Sequence, residues 1–264
     1  MPGLFLAGQI NGTTGYEEAA AQGVVAGINA ARQAGGLAAV ALGRSEAYTG
    51  VLVDDLTTQG VSEPYRMFTS RAEFRLTLRA DNADLRLTGK GMAWGCVGTQ
   101  RAAAFEAHHS AVVAAQARAR TEGGHPAELA RHGIPVRMDG RWRSVFELLG
   151  RPEVEFSALT AAFPWLADLP PRALNQLQTE VRYEGYLPRQ DADIRAFQRE
   201  ESVSLDGVAY SGIGGLSAEL TAKLAQLQPE SLGAASRIQG MTPAALAAIA
   251  AHVRKNRGSL PIPG

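Results

Sequence analysis

Hydrophobic and polar positions near the start of the chain predict a strand, a loop and a helix. Residues 3–6 are short and mainly apolar, as in a buried strand. Residues 16–34 are rich in alanine and contain no proline, as in a helix. Between them lie Gly8, Gly12 and Gly15. Such a loop offers backbone N–H groups and a positive helix end to an electron-rich ligand, although an ordinary strand–helix connection also explains it.

The next segment combines helical and strand patterns. Residues 46–58 carry an apolar stripe at helical spacing, with Ser45 as a candidate N-cap. Asp54 and Asp55 fall on this helix, and we expect a solvated face there in preference to a catalytic carboxylate pair. Ser-Arg-Ala-Glu at 70–73 fits a capping box, whereas apolar and basic residues alternate over 74–79. The prediction is a short helical turn followed by a strand.

Helices are predicted for most of the remaining chain. Long ones are expected over residues 99–120 and 174–197, with Pro188 either kinking the second helix or starting a new segment. Three short helices follow, over residues 216–227, 229–238 and 242–255. Apolar residues at helical spacing should form their common core; these are Leu220, Leu224, Leu227, Leu232, Ile238, Leu246 and Ile249.

Composition limits the class of protein. A length of 264 residues suits one or two domains, and no apolar run approaches the length of a membrane span. The single cysteine, Cys96, excludes an intramolecular disulfide and suits a reducing cytoplasm. The formal net charge is zero, which argues against non-specific nucleic-acid binding by the chain as a whole. A local basic patch remains compatible with that balance.

One segment has such a local excess of positive charge. From Arg66 to Lys90 there are six basic and three acidic residues, an excess of three. Its arginines are candidates for phosphate contacts, because Arg and Lys make most contacts to nucleic-acid backbones. From spacing alone, pairing with Asp81 or Asp84 is an equal alternative. The candidates for RNA contact are Arg66, Arg71, Arg75, Arg79 and Arg86.

Five strings occur in order along the chain: AGQINGTTGYEEAAAQG from Ala7, EPYRMFTSRAEFRL from Glu63, DNADLRLT from Asp81, YEGY from Tyr183 and ASRIQGMTPAAL from Ala235. Together they resemble the GidA/MnmG family, the FAD-dependent tRNA uridine 5-carboxymethylaminomethyl modification enzymes. In that family the first string closes the FAD domain and lies against the flavin. The resemblance therefore implies flavin contacts by Gly8, Gln9, Ile10, Asn11, Gly12, Thr13, Thr14 and Gly15.

The resemblance also implies sites for RNA and for a partner protein. The segment around Arg71 and Arg75 is close to the RNA-binding face in the family, which favours tRNA contact over internal pairing. The last string is implied to dock a partner GTPase, although tight packing among the three short helices explains it equally well. The residues in question are Ala235, Ser236, Arg237, Gln239 and Gly240.

As a function, the resemblance implies FAD-dependent modification of C5 of the tRNA wobble uridine. NADH and methylene-tetrahydrofolate are the family's co-substrates, and the enzymes are cytoplasmic homodimers that act with the GTPase. We assign no residue of this chain a catalytic or metal-binding role. Because no G-x-G-x-x-G turn occurs, we expect the C-terminal part of a longer protein. The alternative is a non-enzymatic helical module that binds RNA or a partner protein and retains no flavin.

The expected fold is mainly α. It begins with the terminal strand–loop–helix piece of an α/β, Rossmann-like FAD-binding domain and continues as a helical C-terminal domain. The predicted divisions are residues 1–44 for the end of the FAD-binding domain, 45–95 for a connecting segment with the RNA-facing patch, 96–205 for a helical domain and 206–264 for a three-helix module.

Overall fold

The structure is a computed structural model that describes residues 3–58, 60 and 63–257. The helices in this part of the chain are α1 (Tyr16–Ala34), α2 (Tyr48–Thr58), α3 (Ala83–Ala93), α4 (Thr99–Thr121), α5 (Pro126–Arg131), α6 (Val145–Leu149), α7 (Phe156–Ala162), α8 (Pro171–Tyr183), α9 (Leu187–Glu201), α10 (Ala218–Leu227), α11 (Leu232–Ser236) and α12 (Pro243–Arg257). Strands β1 (Gly123–Gly124) and β2 (Arg143–Ser144) pair antiparallel. The mainly α prediction is confirmed.

The chain forms two compact units. Unit 1 contains the described residues of Met1–Leu78 and of Arg189–Gly264, and unit 2 contains Arg79–Pro188. The segment predicted as a connector, 45–95, is shared between the two units, and the C-terminal helices belong to the same unit as α1.

Unit 2 is organised around α4, whose small residues allow close packing. Ala115 and Ala119 on α4 are buried, and the same core includes Leu148 of α6 and Leu177 of α8. Helix α4 is rich in alanine, which loses no side-chain freedom in a helix, and it lacks proline over its whole length. The predicted long helix is therefore confirmed, and it ends at Thr121.

The last three helices of unit 1 share one core, as predicted. Leu220, Leu224 and Ile249 are buried there, whereas Leu227 is 41% exposed and does not belong to it. Side-chain N-caps begin these helices, with Ser217 accepting from Leu220 N–H and Ser231 accepting from Ala234 N–H. A corresponding bond from Ala245 N–H to the Thr242 hydroxyl marks the start of α12.

A second core in unit 1 joins the N-terminal part of the chain to α9. Phe74 packs edge-on against Phe197, with 5.4 Å between ring centroids. Val51 of α2 and Leu78 are buried in the same cluster. Of the two outcomes expected at Pro188, the start of a new segment is confirmed, because α8 ends at Tyr183 and α9 begins at Leu187 with Pro188 in its first turn. This position suits proline, which lacks the N–H that helix interiors require.

Two predicted strands are wrong. Residues 4–6 form no strand within the described residues, and Leu4, Phe5 and Leu6 are 39–59% exposed. An apolar run becomes a strand only when a second strand accepts its hydrogen bonds. Residues 74–79 form a turn in which Leu78 N–H bonds to the carbonyl of Phe74 at 2.9 Å.

The N-caps expected at Ser45 and Ser70 are also wrong, although the short helical turn predicted near Ser70 is present. Helix α2 begins at Tyr48, and Ser70 lies inside a 3-10 turn, Thr69–Arg71, that has no side-chain cap. Glu73, the partner expected in a capping box, instead pairs with Arg44 at 2.7 Å. Among the helices described, none combines the length and apolar character needed to cross a lipid bilayer.

Candidate functional site

The loop that precedes α1 is shaped by glycine and by one buried glutamine. Gly8 and Gly12 bound a 3-10 turn and have φ of +82° and +85°, which residues with a Cβ rarely adopt. The Gln22 side chain of α1 is 5% exposed. Its carbonyl accepts from Gly8 N–H at 3.0 Å and from the Asn11 amide at 2.8 Å. Its NH2 group donates to the Thr13 hydroxyl at 3.2 Å. The loop is thus preformed by its own polar side chains.

The loop is also tied to the segment that carries the exposed arginines. Thr13 and Tyr65 form a parallel β-bridge. Tyr65 N–H donates to the carbonyl of Gly12 at 2.7 Å, and Thr14 N–H donates to the carbonyl of Tyr65 at 3.1 Å. Since Asn11, Thr13 and Thr14 are engaged internally, Gln9 and Ile10 are the exposed side chains of the turn.

A buried carboxylate occupies the N-terminus of α1. Glu18 is 6% exposed and accepts from the backbone N–H of Met67 at 2.8 Å. That bond, together with one from the N–H of Glu18 itself, lowers the pKa of this carboxyl despite its burial. A Cβ on Gly15 would lie 1.6 Å from a Glu18 oxygen. Gly15 therefore provides space for a carboxylate that favours the positive end of the helix.

A concave, mainly apolar surface adjoins the loop. A cavity of about 420 Å³ is lined by Phe5, Leu6, Asn11 and Gln22, together with residues of α1 and α2. Ile10, which precedes the cavity residue Asn11 in the sequence, is 70% exposed. Exposed apolar residues around a cavity with few polar groups are typical of ligand or protein contact sites. The positive-φ turn, the exposed Gln9 and this surface fit the edge of a planar, partly apolar cofactor.

The carboxylates of α2 are buried in an ion-pair network, which corrects the expectation of a solvated face. Asp55 is 4% exposed. It accepts from Arg44 at 2.5 Å and from the Tyr65 hydroxyl at 2.8 Å. Arg44 also pairs with Asp54 at 2.9 Å. Burial raises the pKa of Tyr65, and the hydrogen bond to Asp55 raises it further. This network is structural, since its groups are paired and enclosed.

The structure separates the five predicted RNA-contacting arginines into two kinds. Arg66, Arg71 and Arg75 belong to unit 1 and are exposed. The Arg71 guanidinium lies 4.7 Å from the centroid of the Tyr65 ring. Arg79 and Arg86 belong to unit 2.

Arg79 is 8% exposed and pairs with Asp81 at 3.0 Å and with Glu180 at 2.9 Å. Its guanidinium also lies 4.3 Å from the centroid of the Tyr183 ring. Arg86 donates to the Asn82 side chain at 2.8 Å. Arg79 is therefore paired with carboxylates inside the fold, which is the alternative to phosphate contact that the sequence left open.

The predicted partner-docking segment is only partly on the surface. Ala235 is fully buried in the C-terminal core, and Ser236 is half-buried. Arg237 pairs with Asp54 of α2 at 2.6 Å and with Glu201 of α9 at 2.5 Å. Gln239 and Gly240 are exposed. Close packing, the other explanation for this segment, accounts for Ala235 and Arg237. Sequence analysis missed this role of Arg237 because its partners are distant in sequence.

No cluster of histidine, cysteine, aspartate and glutamate suited to a metal ion occurs among the residues the structure describes. Cys96 is free, and its thiol donates to the carbonyl of Gly91 at 3.3 Å.

Comparisons with known proteins agree on one class of protein, a tRNA-modifying enzyme with helical C-terminal domains. Residues 1–38 match the model named glucose inhibited division protein A. Residues 99–191 match the C-terminal helical domain of the tRNA modifying enzyme MnmG/GidA, and residues 193–260 match its C-terminal helical bundle. The chain belongs to the MnmG/GidA family.

Individual relatives show how much of such a protein the chain represents. The tRNA uridine 5-carboxymethylaminomethyl modification enzyme MnmG of Granulibacter bethesdensis is 58% identical over 258 residues, which are 97% of this chain and 41% of the relative. Form II crystals of Aquifex aeolicus GidA give a TM-score of 0.81 at 36% identity, over 96% of this chain and 40% of that one. Form I crystals of the same protein give a TM-score of 0.77 at 35% identity, over 94% of this chain and 38% of that one.

Proposed function

We propose that this chain is part of a FAD-dependent enzyme that modifies C5 of the wobble uridine in tRNA. Its relative from Granulibacter bethesdensis is named as a tRNA uridine modification enzyme. The observation that carries the proposal is the direct bonding between the glycine loop and the segment of exposed arginines. The Thr13–Tyr65 bridge and the bond from Met67 N–H to Glu18 join them at two places. A cofactor edge at the loop would therefore lie beside an RNA bound by the arginines.

The turn of residues 8–12 is the part of this chain that would hold FAD. Gln9 has an exposed amide that can donate or accept at the pyrimidine or ribityl part of the flavin. Ile10 and the apolar surface beside it would exclude water from the ring. Asn11, Thr13, Thr14 and Gly15 keep the turn in shape. When bound, FAD reduced by NADH supplies the electrons for transfer of a one-carbon unit from methylene-tetrahydrofolate.

For RNA, we propose phosphate contacts by Arg66, Arg71 and Arg75. Arginine binds phosphate through paired N–H groups, and these three side chains are exposed on one short segment. The buried Arg79 instead stabilises unit 2, as does the internal bond of Arg86. The partner GTPase would contact the exposed surface around Gln239 and Gly240. We further propose that the enzyme forms a homodimer and acts in the cytoplasm.

RNA binding is tested by measuring the affinity for tRNA as a function of salt. Arg71→Ala and Arg75→Ala should each weaken binding and reduce the slope of log affinity against log salt by about one. Arg195→Ala, which removes an exposed arginine of α9, is the matched control. A slope that is unaltered in the first two variants would show that these arginines do not contact phosphate.

Cofactor binding is tested separately by titrating FAD into the protein, in the context of the full-length enzyme. Gln9→Ala should lower the affinity, because it removes the exposed amide of the turn. Gly12→Val should lower it further, because valine is strained at a φ of +85°. Gly27→Ala changes a glycine of α1 with open space around it and should have no effect. Unchanged flavin occupancy in the first two variants would refute the role of the turn.

A further inference from the structure

A chain of ion pairs in unit 1 begins at the C-terminal helices. Arg237, which follows α11, pairs with Glu201 of α9 at 2.5 Å and with Asp54 of α2 at 2.6 Å. Asp54 also pairs with Arg44 at 2.9 Å. The four side chains are 5–29% exposed, so water screens the attraction between them only weakly.

The chain of contacts continues to the backbone of the glycine loop. Arg44 bonds to one oxygen of Asp55 at 2.5 Å, and the other oxygen accepts from the Tyr65 hydroxyl at 2.8 Å. The backbone of Tyr65 is in turn bonded to Gly12 at 2.7 Å and to Thr14 at 3.1 Å. The C-terminal helices are thus connected to the loop by an unbroken series of polar contacts. We call the five side chains of this series the polar relay: Arg237, Asp54, Arg44, Asp55 and Tyr65.

One nitrogen in the polar relay is shared by two carboxylates. Nη1 of Arg44 donates to both Asp54 and Asp55. Arg237 gives Asp54 a second positive charge, which allows Arg44 to remain close to Asp55. Without Arg237, Asp54 would draw Arg44 toward itself, because opposite charges attract strongly where water is scarce. The Asp55 carboxylate would then lose the bond that fixes its orientation, and the Tyr65 hydroxyl would lose a fixed acceptor.

We propose that the C-terminal helices position the cofactor turn through the polar relay, with Arg237 and Asp54 as positioning residues for the flavin. The inference rests on the proposed function, since the turn of residues 8–12 is the part assigned there to FAD. The turn needs such a restraint because Gly8 and Gly12 have positive φ, and glycine loses more freedom on ordering than any other residue. A turn that is ordered before the cofactor arrives binds it more tightly, because less entropy is lost on binding.

The first test follows the turn without cofactor, by amide hydrogen exchange of the peptide over residues 8–15 in the full-length enzyme. Arg237→Ala and Asp54→Asn should each speed its exchange about fivefold, at the lower end of coupling between sites. Ile249→Val is the matched control, because it removes a buried methyl group from the core of the same helices and leaves the polar relay in place. If Arg237 served stability alone, its removal would affect this peptide no more than Ile249→Val does.

A double variant tests whether the effect passes through the Tyr65 hydroxyl. Tyr65→Phe removes the hydroxyl and keeps the ring, and should speed exchange of the turn about fivefold by itself. Adding Arg237→Ala to Tyr65→Phe should cause no further increase, since the polar relay is already interrupted. Additive effects would show that Arg237 acts on the turn by another route and would overturn the polar relay.

The second test measures cofactor binding and its reverse effect. Arg237→Ala and Asp54→Asn should lower the affinity for FAD about fivefold, although neither residue belongs to the turn. Coupling between two sites is reciprocal. Saturating FAD should therefore slow exchange of residues 232–237 in the parent enzyme, and this protection should be lost in Asp54→Asn and kept in Ile249→Val.

Each outcome bears on the proposal. Faster exchange of the turn in Arg237→Ala and Asp54→Asn, absent from Ile249→Val, supports it. Exchange and FAD affinity that are the same in all three variants overturn it, and FAD binding by the parent then leaves the proposed function standing. A parent enzyme that binds no FAD overturns the cofactor part of the proposed function, whereas the exchange of the turn still decides whether the polar relay positions it.

Discussion

Arg237 holds the C-terminal helices to the rest of unit 1, and its removal is the sharpest test of this structure. Its side chain is 12% exposed and bridges Asp54 of α2 and Glu201 of α9, at 2.6 and 2.5 Å. The guanidinium also lies 5.3 Å from the centroid of the Phe197 ring. Helix α11, which precedes it, has five residues and is too short to be stable alone. Arg237→Ala should therefore loosen α2, α9 and α11 together.

The expected cost of this substitution lies below that of a fully enclosed ion pair. Removing one partner of a buried pair costs about 3–5 kcal/mol. Here Asp54 and Glu201 are 18% and 29% exposed, and Asp54 keeps Arg44 at 2.9 Å. Hydrogen bonds to charged groups contribute about 1.5–3 kcal/mol each. Since water and Arg44 offset part of the loss, we expect Arg237→Ala to lower the stability of unit 1 by about 2 kcal/mol.

The two units can be followed separately in the same sample. The three tryptophans, Trp94, Trp142 and Trp165, all belong to unit 2, so their fluorescence reports the unfolding of that unit. Amide hydrogen exchange measured by peptide mapping reports α2 and α11 in unit 1. A loss of 2 kcal/mol corresponds to roughly 30-fold faster exchange. The fluorescence transition of unit 2 should not move.

A double-mutant cycle isolates the bond to Asp54. Arg237→Ala and Asp54→Ala should be non-additive by about 1 kcal/mol, as is typical of residues in direct contact. Arg195→Ala on α9 controls for the loss of an exposed arginine and should change stability by less than about 0.5 kcal/mol. Additive effects, or equal exchange rates in the Arg237→Ala and Arg195→Ala variants, would refute the bridging role.

Two further predictions concern other parts of the chain. Gly15→Ala should destabilise unit 1 by about 1–2 kcal/mol, because its Cβ displaces the bonded carboxylate of Glu18. Gly23→Ala, on the open surface of α1, should stabilise unit 1 by about 0.5–1 kcal/mol. Hydrogen exchange of α1 should therefore be faster in the first variant than in the second, and the reverse order would contradict the prediction. Burial opposes ionisation of Asp84, but bonds from Thr88 and two arginines outweigh it and hold the pKa of Asp84 below its usual value. The stability that ionised Asp84 contributes to unit 2 is complete above the unfolded pKa of about 3.9 and is lost as pH falls through the folded pKa. The melting temperature detected by tryptophan fluorescence should therefore fall less on acidification in Asp84→Asn than in the parent protein.

Local sequence predicted the elements whose stability is local. Helix α1 was expected over residues 16–34 and is observed over Tyr16–Ala34, because alanine-rich sequence without proline favours a helix wherever it can pack. The caps at Ser217, Ser231 and Thr242 are local features of the same kind, because each requires only a side chain and an N–H three residues later.

Elements that depend on distant residues could not be predicted in this way. The alternation over residues 74–79 suggested a strand, yet Thr77 N–H bonds to the side chain of Gln190 at 2.7 Å, which closes the turn from far along the chain. The sequence predicts Asp55 to be a solvated carboxylate, because no local pattern indicates its hydrogen bonds to Arg44 and Tyr65. A periodic pattern shows which side a residue faces, but it does not identify the group on that side.

The same dependence on partners bears on the RNA binding that we propose for a chain of zero net charge. Its 26 basic residues equal its 26 acidic ones, but the pairing is selective. Arg44, Arg79 and the largely buried Arg237 pair with carboxylates at 2.5–2.9 Å, so their charge is neutralised within the fold. In the part of the chain that the structure describes, no ion pair involves the exposed Arg66 or Arg71. Glu18 interacts with Arg66 only through space, so a phosphate approaching that segment would meet guanidinium groups that no ion pair holds, and the counterions released there would set the salt dependence of binding.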